Sequence, residues 1–250
     1  MDRLIYTAMT GASQTLSRQA AVAHNLANVS STGYRAEEHR LRAVQVNSNA
    51  QQKGLPTRAF AVDASTHVDF TPGPMMHTGR ALEIAVQGNG WIALQMPDGS
   101  EAYTRNGNFE LNVNGIVQTR NGIPVQGDGG PIAVPPDVKL SVGVDGTISA
   151  LPESGAQNTV SVIGRFKLVS PPDADLVRGE DGLFRMRDRS AAPTDERVKV
   201  AAGSLEGSNV NPAEQMVSMI SLARQFEMQM KMLSTADAND KAATQILAMR

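Results

Sequence analysis

Apolar residues recur at helical spacing at both ends of this chain, whereas its middle consists of short apolar runs between glycine-containing turns. At the N-terminal end the stripe runs Ile5, Met9, Ala12, Leu16, Gln19, Ala23 and Leu26, alternating spacings of four and three with one polar break at Gln19. That alternation is the seam of a coiled coil. Met216, Met219, Ala223, Phe226, Met230 and Leu233 repeat it near the other end, so the pattern predicts two helices able to pair.

The C-terminal helix has a marked start. Asn211 can cap it, Pro212 suits the first helical position, and Glu214 stands where a capping-box acid reaches back. On its outer face Arg224 precedes Glu227 by three residues and Glu227 precedes Lys231 by four. Each such pair adds roughly 0.2–0.5 kcal/mol to helicity. Met228 and Met232 fall off the Met230 face, and a helix that is apolar on more than one side must be covered on more than one side. The first helix is expected to run out near Asn25-Leu26-Ala27-Asn28. Asn28 and Gly33 there suit the left-handed backbone of a turn, and Ser30, Ser31 and Thr32 compete for backbone hydrogen bonds.

Between the helices, 36–79 is a largely polar stretch interrupted by Gln51-Gln52-Lys53-Gly54 and Thr71-Pro72-Gly73-Pro74, and is read as an extended arm with short strands. From 80 to 203 the dipeptides Asp98-Gly99, Asn106-Gly107, Asn114-Gly115, Asn121-Gly122 and Asp145-Gly146 separate short runs rich in Val, Ile, Leu and aromatics. Hairpins are expected around Asp98-Gly99 and Asp145-Gly146. The fold class is therefore α+β, with helices of 1–35 and 204–250 forming a coiled-coil-like domain and 80–203 a mainly antiparallel β domain, barrel or sandwich.

Several segments resemble one known family. Asn25-Leu26-Ala27-Asn28 followed by Ser31-Thr32-Gly33-Tyr34-Arg35 is similar to the N-terminal signature of the flagellar axial proteins, the rod and hook subunits of the bacterial basal body. Gly203-Ser204-Leu205-Glu206-Gly207-Ser208-Asn209-Val210-Asn211, Met216-Val217 and Arg224-Gln225-Phe226-Glu227 resemble its C-terminal signature. Leu82-Glu83-Ile84-Ala85-Val86-Gln87-Gly88-Asn89-Gly90-Trp91 and Tyr103-Thr104-Arg105-Asn106-Gly107-Asn108-Phe109 resemble its β core, so the likeness spans nearly the whole chain. The opening Met1-Asp2-Arg3-Leu4-Ile5-Tyr6-Thr7-Ala8-Met9 and the stretch Arg35-Ala36-Glu37 to Leu41-Arg42-Ala43-Val44 look most like a proximal-rod member.

Composition narrows the alternatives. A formal charge of −2 over 250 residues supplies no basic field, which disfavours nucleic acid as a partner. With no cysteine, disulfides, thiolate metal sites and cysteine nucleophiles are excluded. No segment approaches the roughly 20 apolar residues that span a bilayer, and the N-terminus lacks the pattern of a secretory signal. His24, His39, His67 and His77 match no zinc-ligand spacing, and Asp128-Gly129-Gly130 lacks that of a calcium loop. Gly88-Asn89-Gly90 lacks the third glycine of a dinucleotide loop and reads as a turn. Asp173 with Asp175, and Glu180 with Asp181, read as solvated loop acids.

The expectation is a structural subunit without catalytic activity, cofactor or metal. The resemblance implies export by the flagellar type III apparatus without a cleaved signal, residence in the rod crossing the periplasm, and partners among identical and neighbouring axial subunits. Assembly would rest on the two stripes together with Asn25, Asn28, Gly33 and Asn211. A distal-rod or hook subunit is the nearer alternative. A periplasmic glycan-cleaving enzyme, which would need two converging carboxylates, is the more distant one.

Overall fold

The computed structural model describes residues 2–45, 59–152 and 160–248. The chain divides into two compact units, one of 1–29, 36–69 and 210–250 and the other of 30–35 and 70–209.

The first unit is built on the two helices predicted from the stripes. Helix α1 spans Asp2–Ala27 and α2 spans Pro212–Ala248. Neither has an internal proline, so the hydrogen-bond ladder of each runs unbroken. The start of α2 is capped as its sequence predicts, with Asn211 Oδ1 accepting from the amides of Ala213 at 3.1 Å and Glu214 at 3.5 Å. The helices pack on one another, and a long hairpin of β1 (Glu37–Gln45) and β2 (Ala59–Val68) packs against α1. The hairpin is antiparallel, with a register shift between Arg40 and Leu41. It falls within the stretch read as an extended arm; Gln51 to Gly54 lie outside the described residues.

Every strand pairing in the second unit is antiparallel. The Asp98-Gly99 hairpin joins Trp91–Gln95 to Glu101–Thr104, and the Asp145-Gly146 hairpin joins Val138–Val142 to Thr147–Pro152. Gly99 and Gly146 have φ of 81° and 82°, the left-handed backbone these turns require. A five-stranded sheet forms around the first hairpin and a three-stranded one around the second. Their inward residues, with Ile84, Phe109, Val117, Val125, Phe166 and Val200, make one apolar core. The unit closes on itself by long-range pairing: Ile84–Gln87 pairs with Lys199–Ala202, and Met75–His77 with Ser204–Glu206.

Candidate functional site

Two features answer to the residues singled out in the sequence: the helix pair, and a buried charged cluster where the chain enters and leaves the β unit.

Between the helices, the covered side of α1 carries Ala12, Thr15 and Asn25, which are buried, with Gln19, Val22 and Leu26 half-buried. On α2, Leu222 and Ala236 are buried, and Gln215, Met219, Ala223, Phe226, Gln229 and Leu233 half-buried. Close approach comes from small and polar residues. The side-chain amide of Gln229 lies over Gly11, within 3.2 Å of where a Cβ would stand, and Thr15 Oγ1 is 3.3 Å from Gln229 Oε1. Thr15 Oγ1 also donates to Gly11 O at 2.9 Å. Among the other expected seam residues, Met9, Leu16, Met216 and Met230 stay exposed, by 57, 49, 53 and 47 %. The side chain of Ile5 lies outside those described.

The end of α1 is tied by asparagine side chains. Asn28 Nδ2 donates to His24 O at 2.9 Å, a carbonyl of the last turn that also accepts from Asn28 N at 3.2 Å. Asn28 therefore works through its side chain and has no positive φ, whereas Gly33 does, at 68°. Asn25 Nδ2 donates to Glu37 O at 2.8 Å, and Asn25 Oδ1 accepts from Glu37 N at 3.0 Å. The amide thus pairs with the first residue of β1 as a neighbouring strand would. Asn25→Asp keeps the shape but cannot donate, which leaves the buried bond to Glu37 O unmade. It should lower stability by about 1–3 kcal/mol in denaturant titration; an unchanged midpoint would show that this clasp contributes nothing.

The cluster lies in the β unit, which the segment 30–35 enters. Gly33 N donates to Glu206 O at 2.8 Å, and Thr32 Oγ1 to Asn106 Oδ1 at 2.8 Å. A Cβ on Gly33 would overlap the Arg105 carbonyl and the Asn106 nitrogen, so the backbones touch only because this residue is glycine. That approach delivers Arg35 into the interior, where its Nη2 lies 2.6 Å from Glu206 Oε1 as an ion pair with both side chains at most 1 % exposed. Arg105 Nη1 reaches Glu206 Oε2 at 3.1 Å. Arg105 Nη2 donates to Gly88 O at 2.7 Å, and the guanidinium lies 5.3 Å from the centre of the Trp91 ring. Gly73 N donates to Glu206 Oε1 at 3.0 Å. Behind the pair, Arg178 stacks 4.6 Å from the Tyr34 ring and donates to Arg35 O at 3.1 Å.

Two arginines thus share one carboxylate in a water-poor site. Burial pulls the Arg105 guanidinium down to about 10; Glu206 opposes that shift and the like charge of Arg35 adds to it. All three charges lie within the segments that resemble the family, and nothing in the sequence joins them. Their signal was a charged residue close to a glycine in each of the three segments, at Gly33, Gly107 and Gly207.

The acids weighed as loop residues stay in loops. Asp173 and Asp175 sit on an exposed 3₁₀ turn, and Asp181 forms a two-point pair with Arg185 at 2.6 and 3.0 Å. Among the described residues no cluster of three or more His, Cys, Asp or Glu could hold a metal, and no helix is long and apolar enough to cross a membrane.

Comparison with known proteins places these features in a family. Residues 5–35 match the family described as flagella basal body rod protein, 85–150 the flagellar hook protein FlgE/F/G D1 domain, and 201–246 the flagellar basal body rod FlgEFG protein C-terminal region. The three matched regions supply Arg35, Arg105 and Glu206 respectively. The chain is 46 % identical to the flagellar basal-body rod protein FlgF of Escherichia coli (strain K12) and 44 % identical to that of Salmonella typhimurium, each covering 100 % of both chains. It is 34 % identical to FlgF of Buchnera aphidicola subsp. Schizaphis graminum, covering 98 % of both. The chain belongs to the flagellar basal-body rod proteins, and these relatives place it with the FlgF rod proteins among them. It is a structural subunit of the rod and serves motility.

Proposed function

We propose that the protein is a proximal-rod subunit that polymerises through its terminal helices and passes torque from motor to hook and filament. In this reading 1–35 and 204–250 form the assembly domain, with α1 and α2 paired along a coiled-coil-like seam from which Met9, Leu16, Met216 and Met230 face neighbouring subunits. The β domain of 80–203 forms an outer layer, and the arm of 36–79 lies against neighbouring subunits. The observation that carries it is the apolar surface left uncovered on both helices. Tyr6, Met9 and Leu16 on α1, and Met216, Val217, Ile220, Met228, Met230 and Met232 on α2, are all exposed in the single chain. A surface of that character marks an interaction site. Contacts between unlike patches that do not close generate filaments, which suits a rod. No bound cofactor or catalytic group is needed, because the work is mechanical. Export by the flagellar type III apparatus without a cleaved signal, and a rod that crosses the periplasm, complete the reading.

Replacing two exposed methionines tests it. Met216→Asp combined with Met230→Asp should leave the melting curve of the free chain within about 0.5 kcal/mol of wild type, since both positions are surface sites. The same variant should be absent from purified basal bodies and non-motile on soft agar. Normal incorporation and swimming would remove the helices as the assembly surface.

A further inference from the structure

We propose that the buried Arg35–Glu206–Arg105 cluster is an ordered latch: the segment 30–35 can leave the β unit alone, but the segment 204–209 cannot leave without releasing 30–35. The first segment follows α1 and the second precedes α2. The inference does not depend on where the protein assembles.

The asymmetry follows from the charges. If 30–35 withdraws, Arg35 goes into water and Glu206 keeps Arg105 as a one-to-one pair. Glu206 also keeps its bond from Gly73 N, and the strand Ser204–Glu206 keeps its pairing with Met75–His77. The bonds from Gly33 N to Glu206 O and from Asn209 N to Tyr34 O break in either opening, but here no buried charge is left without a partner. If 204–209 withdraws instead, Arg35 and Arg105 face each other with their shared carboxylate gone. A buried charge stripped of its partner is among the costliest defects a core can hold. Expelling Arg35 relieves the repulsion, so the second opening carries the first with it. Seating of the N-terminal segment therefore waits for the C-terminal one, and 30–35 docks only on a β unit that has closed.

Each opening exposes a residue that a protease reads. Trypsin cuts after Arg35 and a glutamate-specific protease after Glu206, and both side chains are at most 1 % exposed in the closed state. In the full-length chain, Glu206→Gln should raise the rate of cleavage after Arg35 by roughly tenfold or more. The emission of Trp91, the chain's one tryptophan, should stay that of a folded β unit. Arg35→Met should leave Glu206 as protected as in wild type. Native-state hydrogen exchange decides the same point without a mutation: the Gly33 amide, bonded to Glu206 O, should exchange faster than the Gly207 amide, bonded to Pro74 O. Continued protection of Arg35 in Glu206→Gln, exposure of Glu206 in Arg35→Met, or faster exchange at Gly207 than at Gly33 would each overturn the order. Loss of the Trp91 signal together with cleavage would overturn it too, because the cluster would then be ordinary core.

Discussion

Gly107→Ala is expected to unfold the β unit well below the temperature at which the wild-type chain melts. A Cβ at this position would stand inside the Ile84 carbonyl, whose oxygen and carbon are both fixed in a strand. The turn at Asn106-Gly107 and the strand Ile84–Gln87 would have to separate, breaking the bond from Ile84 N to Gly107 O at 3.1 Å. That strand supplies Ile84 and Val86 to the core and pairs with Lys199–Ala202, so the displacement reaches the closure of the unit. Overpacking against backbone belongs to the severe class of substitutions, about 4 kcal/mol or more. For a unit of this size that corresponds to a fall of roughly 10 °C in melting temperature. Calorimetry on the full chain measures it. Gly129→Ala is the control, since its backbone, like that of Gly107, lies outside the left-handed region and no atom lies within 4 Å of its Cβ position. Equal losses in the two variants would show that the Ile84 contact carries no cost.

What was legible in the sequence was local. The Asp98-Gly99 and Asp145-Gly146 hairpins and the Asn211 cap each depend on a few adjacent residues whose chemistry dictates their backbone. The helix stripes were legible in outline, and the side on which they are covered less so. Ala12, Leu26, Met219, Phe226 and Leu233 lie on covered or half-covered faces, while Met9, Leu16, Met216 and Met230 point outward in the single chain. Hydropathy ranks methionine and leucine above threonine and glutamine. Here Gly11, Thr15 and Gln229 instead make the close contact, because small and hydrogen-bonded residues let helices approach. The hairpin of β1 and β2 was hidden by its polar composition, Glu37-Glu38-His39-Arg40 at its start, and by the register shift after Arg40 that interrupts alternation.

The charged cluster was not legible from any window. Arg35, Arg105 and Glu206 are separated by 70 residues or more along the chain, and each alone reads as a solvated turn residue. Only long-range strand pairing brings them together. The unusual backbone at Gly33 then admits Arg35 to the interior, and local sequence records that glycine without recording what it touches.

The second large effect is expected at Leu222. Its side chain is 4 % exposed on the covered face of α2, between the half-buried Met219 and Phe226. Leu222→Asp removes a buried aliphatic group and puts a carboxylate in its place. Loss of the packing alone is worth about 2–5 kcal/mol, and the buried charge adds to it. The helix pair should therefore separate, with a loss of helical circular dichroism in the free chain and of swimming in cells. Met228→Asp makes the matching change on an exposed position of the same helix. It should leave the helical signal intact, because the carboxylate remains in water. If Leu222→Asp melts like wild type, the two helices do not stabilise each other through that face. If Met228→Asp melts as early as Leu222→Asp, its face is covered within the single chain and is not open to a neighbour.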